Sequence, residues 1–246
     1  MIRLSLVSLA AWLTIAVAGS AVAGPELTIS EEVFDFGYIP QNSKVSHVFW
    51  LHNTGDQELR IAQVIPGCGC TQAPLDKQVV PPGDSAKLEI IFSSKLYFDR
   101  VVKKPAIELE GFPDPRYVEI SSFVIPRPDS AFPLKLEPFK LDISQFGEAV
   151  RDRAKFSITN VSDQELTVTI IAPPDEFGVL TMPSKIGPGE TVEAELVLKP
   201  ERLGEELAKS FTFQVNDEHS SRYTVPVRRK LKDPNAVQFT APGGGD

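Results

Sequence analysis

The sequence predicts an all-β protein built from two tandem β-sandwich units. Three observations support this fold class. The chain repeats itself at a distance of about 107 residues, both copies contain strand-like alternation, and turn-forming Pro-Gly and Asn segments recur at matching places. No long amphipathic helical pattern separates the strand-like runs. Short strands at regular spacing, joined by such turns, are typical of sandwiches with about seven strands each.

The first 23 residues predict a secretory signal peptide. Arg3 supplies the positive charge, Leu4 to Val17 is an apolar run, and small residues precede the expected cleavage between Ala23 and Gly24. The alternative is an uncleaved membrane anchor, because the apolar run is nearly long enough to span a bilayer. No later segment is apolar enough to cross a membrane. Export predicts a periplasmic or secreted protein in an oxidising compartment.

The repeat sets the domain organisation. The segment 53–59 recurs as 160–166, and Pro82-Gly83 recurs as Pro188-Gly189. Copies of this length are whole domains rather than units of a solenoid. The predicted organisation is a signal peptide at 1–23, a first domain at 24–125, a linker at 126–132, a second domain at 133–230 and a flexible tail at 231–246.

Alternation with period two fixes the register of the strands. After the first Pro-Gly turn, the apolar residues Ala86, Leu88 and Ile90 alternate with Lys87 and Glu89. The segment 192–198 repeats this pattern after the second turn, with Val, Ala and Leu alternating with Glu. Because a slip of one residue would bury the charged side chains, one face of each strand is predicted to be the core face.

Two side chains leave alternatives open. Trp50 falls on the outward phase of its strand, where it marks either a contact surface for a partner or the cover of the domain junction. Asn160-Val161-Ser162 is a glycosylation sequon, but the matching Asn53 heads no sequon. That comparison favours a turn-forming role for both asparagines.

Four motifs follow one another in the first unit: Phe34-Asp35-Phe36-Gly37, Asn53-Thr54-Gly55, Gly67-Cys68-Gly69-Cys70-Thr71 and Pro82-Gly83-Asp84. In these motifs the stretch from about Leu27 to Val124 resembles the bacterial domain of unknown function fifteen seventy-three. That family is similar to Hydin-type and major-sperm-protein-type domains, so the resemblance implies an immunoglobulin-like sandwich. The second unit lacks the Cys-Gly-Cys motif and is expected to be a divergent immunoglobulin-like copy. The resemblance implies no particular activity.

Cys68 and Cys70 are the two cysteines of the chain, and the second unit folds without an equivalent pair. A bridge between them would contribute only roughly 1.6 kcal/mol by chain entropy, against about 3 kcal/mol for a fifteen-residue loop. Three roles remain: a structural bridge or free thiols, a redox-active dithiol, or a soft thiolate site for Cu(I) or Zn²⁺. Closed zinc sites need four ligands, so no firm metal site and no cofactor other than Cu(I) is predicted. The cysteines are expected near the surface, and Lys44 at the same end of the sandwich.

Composition and motifs narrow the function. The net charge of −8 argues against nucleic acid, which requires a basic face. Asp35-Phe36-Gly37 matches a kinase tripeptide without the other kinase motifs, and no hydrolase motif is present.

The sequence therefore predicts a non-enzymatic binding or scaffold protein with extracytoplasmic protein partners. One alternative is a thiol redox or Cu(I)-handling protein acting through Cys68 and Cys70. Another is a periplasmic assembly chaperone, because pilus chaperones also have two immunoglobulin-like domains.

Overall fold

The computed structural model describes residues 24–147 and 149–232. The predicted signal peptide, with Ala23 of its cleavage site, and residues 233–246 of the predicted tail lie outside the described residues. Within the described ranges, no helix is long and apolar enough to span a membrane.

The first unit is a sandwich of β-strands around an apolar core. In the described residues its strands are β1 (Leu27–Ile29), β2 (Val33–Pro40), β3 (Lys44–Asn53), β4 (Leu59–Ile65), β5 (Thr71–Gln72), β6 (Val79–Val80), β7 (Ser85–Ser93), β8 (Asp99–Lys103), β9 (Ala106–Leu109), β10 (Arg116–Tyr117) and β11 (Glu119–Ile125). One layer has the order β1-β3-β7-β5, while β10-β9-β4-β6 and the strands β2, β11 and β8 belong to other sheets. Ala86, Leu88 and Ile90 are buried, as the alternation predicts.

The second unit repeats this arrangement. Its strands are β12 (Leu134–Glu137), β13 (Leu141–Asp142), β14 (Gln145–Phe146), β15 (Arg153–Asn160), β16 (Leu166–Ala172), β17 (Gly178–Thr181), β18 (Lys185–Ile186), β19 (Thr191–Leu198), β20 (Leu207–Val215), β21 (Arg222–Arg229) and β22 (Leu231–Lys232). The order β12-β15-β19-β17 matches β1-β3-β7-β5 strand for strand. The all-β, tandem-sandwich prediction is confirmed.

The two units share one sheet, which the sequence did not predict. Its order is β18-β16-β20-β21-β2-β11-β8, so four strands of the second unit continue directly into three strands of the first along a single hydrogen-bonded path. The connection is the parallel pairing of β2 with β21 at Tyr38 and Tyr223. The Thr224 hydroxyl donates to the Phe36 carbonyl oxygen over 2.7 Å, which strengthens the seam. The units are therefore joined by sheet continuity as well as by the linker.

Two segments differ from the sequence expectation. The linker at 126–132, whose two prolines favour an extended backbone, contains a 3-10 turn at Pro128–Ser130. Strand β22 pairs in parallel with β14. The prediction of a tail from residue 231 is therefore wrong for Leu231 and Lys232, which belong to a strand. Their short apolar-polar sequence has no period of its own, so only the pairing partner reveals the strand.

Asn53 and Asn160 occupy equivalent turns and are almost fully buried. The Asn53 side-chain amide donates to the carbonyl oxygens of Gln57 (2.7 Å) and Val80 (2.8 Å). The Asn160 amide donates in the same way to Gln164 (2.7 Å) and Ile186 (3.0 Å). Each side chain thus fastens its own turn to a neighbouring strand. The turn-forming role is confirmed, and it buries the amide that glycosylation would require.

Replacing either asparagine by alanine is expected to lower the unfolding free energy by about 2–4 kcal/mol, because two bonds are lost and buried carbonyls are left unpaired. Chemical denaturation of Asn53→Ala and Asn160→Ala measures this loss. Gln57→Ala is the matched control, since only the backbone carbonyl of Gln57 takes part. Equal stability of Asn53→Ala and Gln57→Ala would contradict the role assigned to the side chain.

Candidate functional site

Cys68 and Cys70 are joined by a disulfide in the turn between β4 and β5. Gly67 opens this turn in the left-handed backbone region, with φ of +80°. Cys68 is half-buried, whereas Cys70 is only 6% exposed and packs in the core of the first unit. The expectation that both cysteines lie near the surface is therefore wrong for Cys70. Its neighbour Thr71 pairs with β7 and draws the chain inward.

The bridge lies beside the end of β7. The Cys70 carbonyl oxygen accepts a 2.8 Å bond from the Ser93 N–H, and Ser93 is the strand partner of Lys44. Lys44 is thus at the predicted end of the sandwich. The Thr71 hydroxyl lies 3.4 Å from the Cys68 sulfur and 3.8 Å from the Cys70 sulfur. Among the described residues, no hydrogen bond or ion pair joins Lys44 to either sulfur.

The three histidines have partners away from the cysteines. His52 Nδ1 lies 2.6 Å from the Ser85 hydroxyl, His47 Nε2 lies 3.2 Å from Glu31, and His219 lies beside Glu218. Over residues 24–147 and 149–232, no group of three or more His, Cys, Asp or Glu side chains is placed to hold a metal ion. Metal binding by Cys68 and Cys70 stays a prediction.

Trp50 lies on the outer face of β3, where it is 45% exposed. Its strand partner on β7 is Lys87, whose ammonium group pairs with Glu176 of the second unit. Trp50 therefore borders the domain junction and also presents open surface. Its role as a contact surface for a partner stays a prediction.

Side chains predicted to face solvent on β7 instead meet the second unit. The Lys209 ammonium group lies 2.6 and 2.8 Å from the two carboxylate oxygens of Glu89. The Ser210 hydroxyl accepts from the Ser46 N–H over 2.9 Å and donates to the Ser46 carbonyl oxygen over 3.1 Å. One serine side chain thus satisfies both backbone groups of Ser46 that a neighbouring strand would otherwise bond.

A cleft of about 770 Å³ opens at this junction. The first unit contributes Lys44 and Lys95 to its lining, and the second contributes Lys140, Arg228 and Leu207. A smaller cleft of about 390 Å³ adjoins it and shares Lys44 and Leu207. Sequence analysis missed this site, since its residues are scattered over the chain and no spacing connects them.

The rim of the larger cleft is held by two turns with left-handed residues. Asn42 (φ of 52°) and Lys95 (φ of 40°) adopt a conformation that side chains other than glycine rarely take. The Asn42 N–H donates to the Lys95 carbonyl oxygen over 2.7 Å, and the Gln41 amide donates to Tyr97 over 2.8 Å. The Lys140 ammonium group donates to the Asn42 carbonyl oxygen over 3.4 Å. These bonds fix the rim across both units.

Positive charge accumulates in the cleft. Burial, followed by the nearby charge of Arg228, lowers the pKa of Lys140. The two carboxylates of the lining are both engaged by cations: Asp142 pairs with Arg228, and Glu206 lies 2.7 Å from Lys230. Burial acts to raise the pKa of Asp142, but hydrogen bonds from Ser144 and Arg228 outweigh it and leave the pKa lowered. The carboxylates therefore neutralise part of the basic lining and remain ionised.

Residues 27–124 match the family described as protein of unknown function (DUF1573), and residues 133–230 match the HYDIN/CFA65/VesB-like, Ig-like domain. The chain is a DUF1573 unit followed by a HYDIN/CFA65/VesB-like unit. The predicted resemblance of the first unit and the immunoglobulin-like character of the second are confirmed. No curated protein sequence matches the chain.

The solved structures that this chain matches share little sequence with it. A protein of unknown function from Porphyromonas gingivalis W83 is 15% identical, with 83% of this chain and 99% of that chain covered and a TM-score of 0.34. The Pseudomonas aeruginosa CupB2 chaperone is 13% identical (81% and 98% covered, TM-score 0.30). The Vibrio cholerae VesB protease is 15% identical (39% and 31% covered, TM-score 0.33). These likenesses are too remote to carry over any activity.

The DUF1573 unit also holds a buried histidine near the HYDIN/CFA65/VesB-like unit. The His47 ring stacks on Phe34 with centroids 3.5 Å apart. Burial, followed by the charge of Arg222, lowers the pKa of His47 from 6.5 to about 4. His47 is therefore neutral at pH 7, and its 3.2 Å contact with Glu31 is a hydrogen bond rather than an ion pair.

The unfolding free energy is expected to be highest above pH 6.5 and to fall as the pH approaches 4, because the folded state binds fewer protons than the unfolded chain in that window. The loss attributable to His47 is at most about 3 kcal/mol. Glu31, whose pKa is raised by burial, offsets part of it. His47→Phe keeps the ring stack and should flatten this slope in denaturation at stepped pH, while His219→Phe in an exposed turn should not. An unchanged slope in His47→Phe would contradict the assignment.

Proposed function

We propose that the chain is an exported, non-enzymatic binding or scaffold protein whose two units act together on a protein partner outside the cytoplasm. The observation that carries this proposal is the sheet shared by both units, with a cleft opening between them. An assembly chaperone would be one form of such a protein. The predicted signal peptide at 1–23 supports export.

The shared sheet favours binding for an energetic reason. Two domains on a flexible linker would lose orientational freedom when both contact one partner, and that loss would weaken the complex. Here the pairing of β2 with β21 and the bonds between Ser46 and Ser210 set the relative placement in advance. A partner that contacts both units therefore meets a preorganised surface.

The two carboxylates of the cleft support binding rather than acid–base chemistry. Asp142 and Glu206 are both paired with cations, and their ionised state is the one that those cations favour. A general acid or base needs a pKa near the working pH. The lowered pKa values of both carboxylates move them away from that range.

Reversing one charge in the seam is expected to reduce partner capture. Lys209→Glu places a second carboxylate against Glu89 at the half-buried junction, where juxtaposed like charges cost several kcal/mol, so the arrangement that a partner of both units requires is expected to open. The double variant Glu89→Lys with Lys209→Glu should restore capture. The measurement is quantitative crosslinking of the tagged full chain in its native cells, followed by purification and counting of the crosslinked partner.

The matched control is Lys155→Glu, which reverses a lysine paired with Glu193 on exposed strands of the second unit. It should leave capture unchanged. Two outcomes would overturn the proposal. Either the wild-type chain crosslinks to no protein, or Lys209→Glu opens the junction in solution scattering and still captures the partner as wild type does.

A second proposed function concerns the disulfide between Cys68 and Cys70. The half-buried position of the Cys68 sulfur supports it, together with the absence of an equivalent pair from the second copy. A thiolate of an external dithiol would attack the Cys68 sulfur, break the bridge and release Cys70 as a thiolate. The second external thiol would then displace Cys68, so the bridge is reduced to two thiols and the external dithiol is oxidised to a disulfide.

Replacing both cysteines by serine is expected to abolish thiol exchange while lowering the unfolding free energy by about 2–4 kcal/mol, because the closed loop is short but a hydroxyl replaces the buried Cys70 sulfur. Exchange with a small dithiol, followed by thiol titration, measures the first effect, and denaturation measures the second. Titration of the reduced chain with Cu(I) tests the alternative role of the same two sulfurs. This second function would be contradicted if the wild-type chain neither exchanged its disulfide with the dithiol nor bound Cu(I).

A further inference from the structure

We infer that the junction cleft binds an extended, acidic segment of a polypeptide, held by Lys44, Lys95 and Lys140. This inference rests on the proposed binding function and names the chemistry of the partner. The cleft offers surplus positive charge and a fixed rim, and the open edge of β20 forms one margin of it, across β21 from β13.

The cleft is basic, whereas the chain as a whole is acidic. The lining contains five cations and two carboxylates, although the chain carries a net charge of −8. Both carboxylates are paired with cations, so three lysines remain in surplus. Within the described ranges, the side chains of Lys44 and Lys95 make no hydrogen bond or ion pair, and Lys140 reaches only the Asn42 carbonyl oxygen. An incoming carboxylate would find three ammonium groups with free donors.

The lowered pKa of Lys140 is consistent with this placement. Burial and the Arg228 charge both disfavour the protonated ammonium group. An anion bound beside Lys140 would relieve the second effect and pair with a group that the fold leaves uncompensated.

The strand edge argues for a peptide rather than a free anion. Strand β20 pairs with β21 from Leu207 onward, but its pairing with β16 reaches only Thr212. Among the described residues, Leu207 and Ala208 therefore have a strand partner on one side only, and both line the cleft. An extended peptide can add its backbone hydrogen bonds to such an edge, while alternate side chains select the sequence.

The rim makes the site preorganised. Asn42 and Lys95 keep left-handed backbone conformations, which cost energy and persist only where surrounding bonds hold them. The buried Ser94 hydroxyl donates to the Pro40 carbonyl oxygen over 2.8 Å and accepts from the Ser43 N–H over 3.0 Å. These contacts place Lys44 and Lys95 on the same side of the cleft before any ligand arrives.

The test uses the full chain and a labelled hexapeptide of alternating valine and glutamate. A hexapeptide of alternating valine and glutamine is the matched probe, and inorganic phosphate is the competitor. The glutamate peptide is expected to bind at least about tenfold more tightly than the glutamine peptide, and added salt should weaken it. Replacing the cleft lysines by glutamine should reduce this affinity at least about tenfold. The cleft variant carries Lys44→Gln, Lys95→Gln and Lys140→Gln.

A charge-matched control separates the cleft from general electrostatics. It carries Lys104→Gln, Lys155→Gln and Lys185→Gln, which remove the same charge from exposed ion pairs outside the cleft. The control should bind the glutamate peptide as wild type does, and thermal unfolding should show both triple variants folded. If the cleft variant unfolds, the single variant Lys140→Gln takes its place. It is expected to lose a measurable part of the affinity for the glutamate peptide.

Several results would overturn the inference. They are equal binding of both peptides, equal weakening in the two triple variants, displacement of the peptide by phosphate at equal concentration, or no peptide binding at all. Failure of the acidic-segment inference can be distinguished from failure of the proposed binding function. If the native partner crosslinks to the cleft variant as well as to wild type, the acidic-segment inference is wrong while the binding function stands. If no native partner crosslinks to wild type, the binding function fails whatever the peptide shows.

Discussion

The close approach of β2 to β21 is the constraint on which the rest of the structure depends. Gly37 adopts φ of +63°, and a Cβ at this position would lie 2.2 Å from the Arg222 carbonyl oxygen. A residue with a side chain would therefore push the second unit away. With β2 seated beside β21, the outer face of β3 and β7 meets β20, and the contacts of Ser46 with Ser210 and of Glu89 with Lys209 become available.

The shared sheet also protects a strand edge that would be exposed in an isolated sandwich domain. An unpaired strand edge is a template for pairing with other chains, and isolated domains protect their edges by charge or by short strands. Here the edge of β2 is covered by β21. The Ser46 backbone is satisfied by the Ser210 hydroxyl rather than by a foreign strand. The half-buried Glu89–Lys209 pair adds little net stability after desolvation, but it penalises any register that separates the two charges.

How much the sequence predicts depends on how local the determinant is. Strand phase and turn chemistry are local, so the core residues Leu88 and Ile90 and the turn asparagines are predicted from alternation and from the repeat. Alternation shows which side chains of a strand face away from the core. It does not show whether those side chains meet water or a second domain, so Lys87 and Glu89 were assigned to solvent. The cleft lysines come from separate loops and strands that only the shared sheet brings together. Arg229 shows the same limit. It is fully buried and donates to the carbonyl oxygens of Ile143 and Leu203, and no carboxylate of residues 24–147 or 149–232 pairs with it.

The two candidate sites are neighbours, and Ser93 connects them. Its N–H bonds the Cys70 carbonyl oxygen, its strand partner is Lys44, and its own side of β7 lines the cleft. The disulfide closes a very short loop and therefore adds little to the stability of the whole domain, so its structural effect is local. It restrains the turn that leads into β5, and β5 pairs with the last residues of β7. The end of β7, which lines the cleft, is therefore fixed from two sides. The disulfide holds it on one side, and the hydrogen bonds between Ser43 and Ser94 hold it on the other.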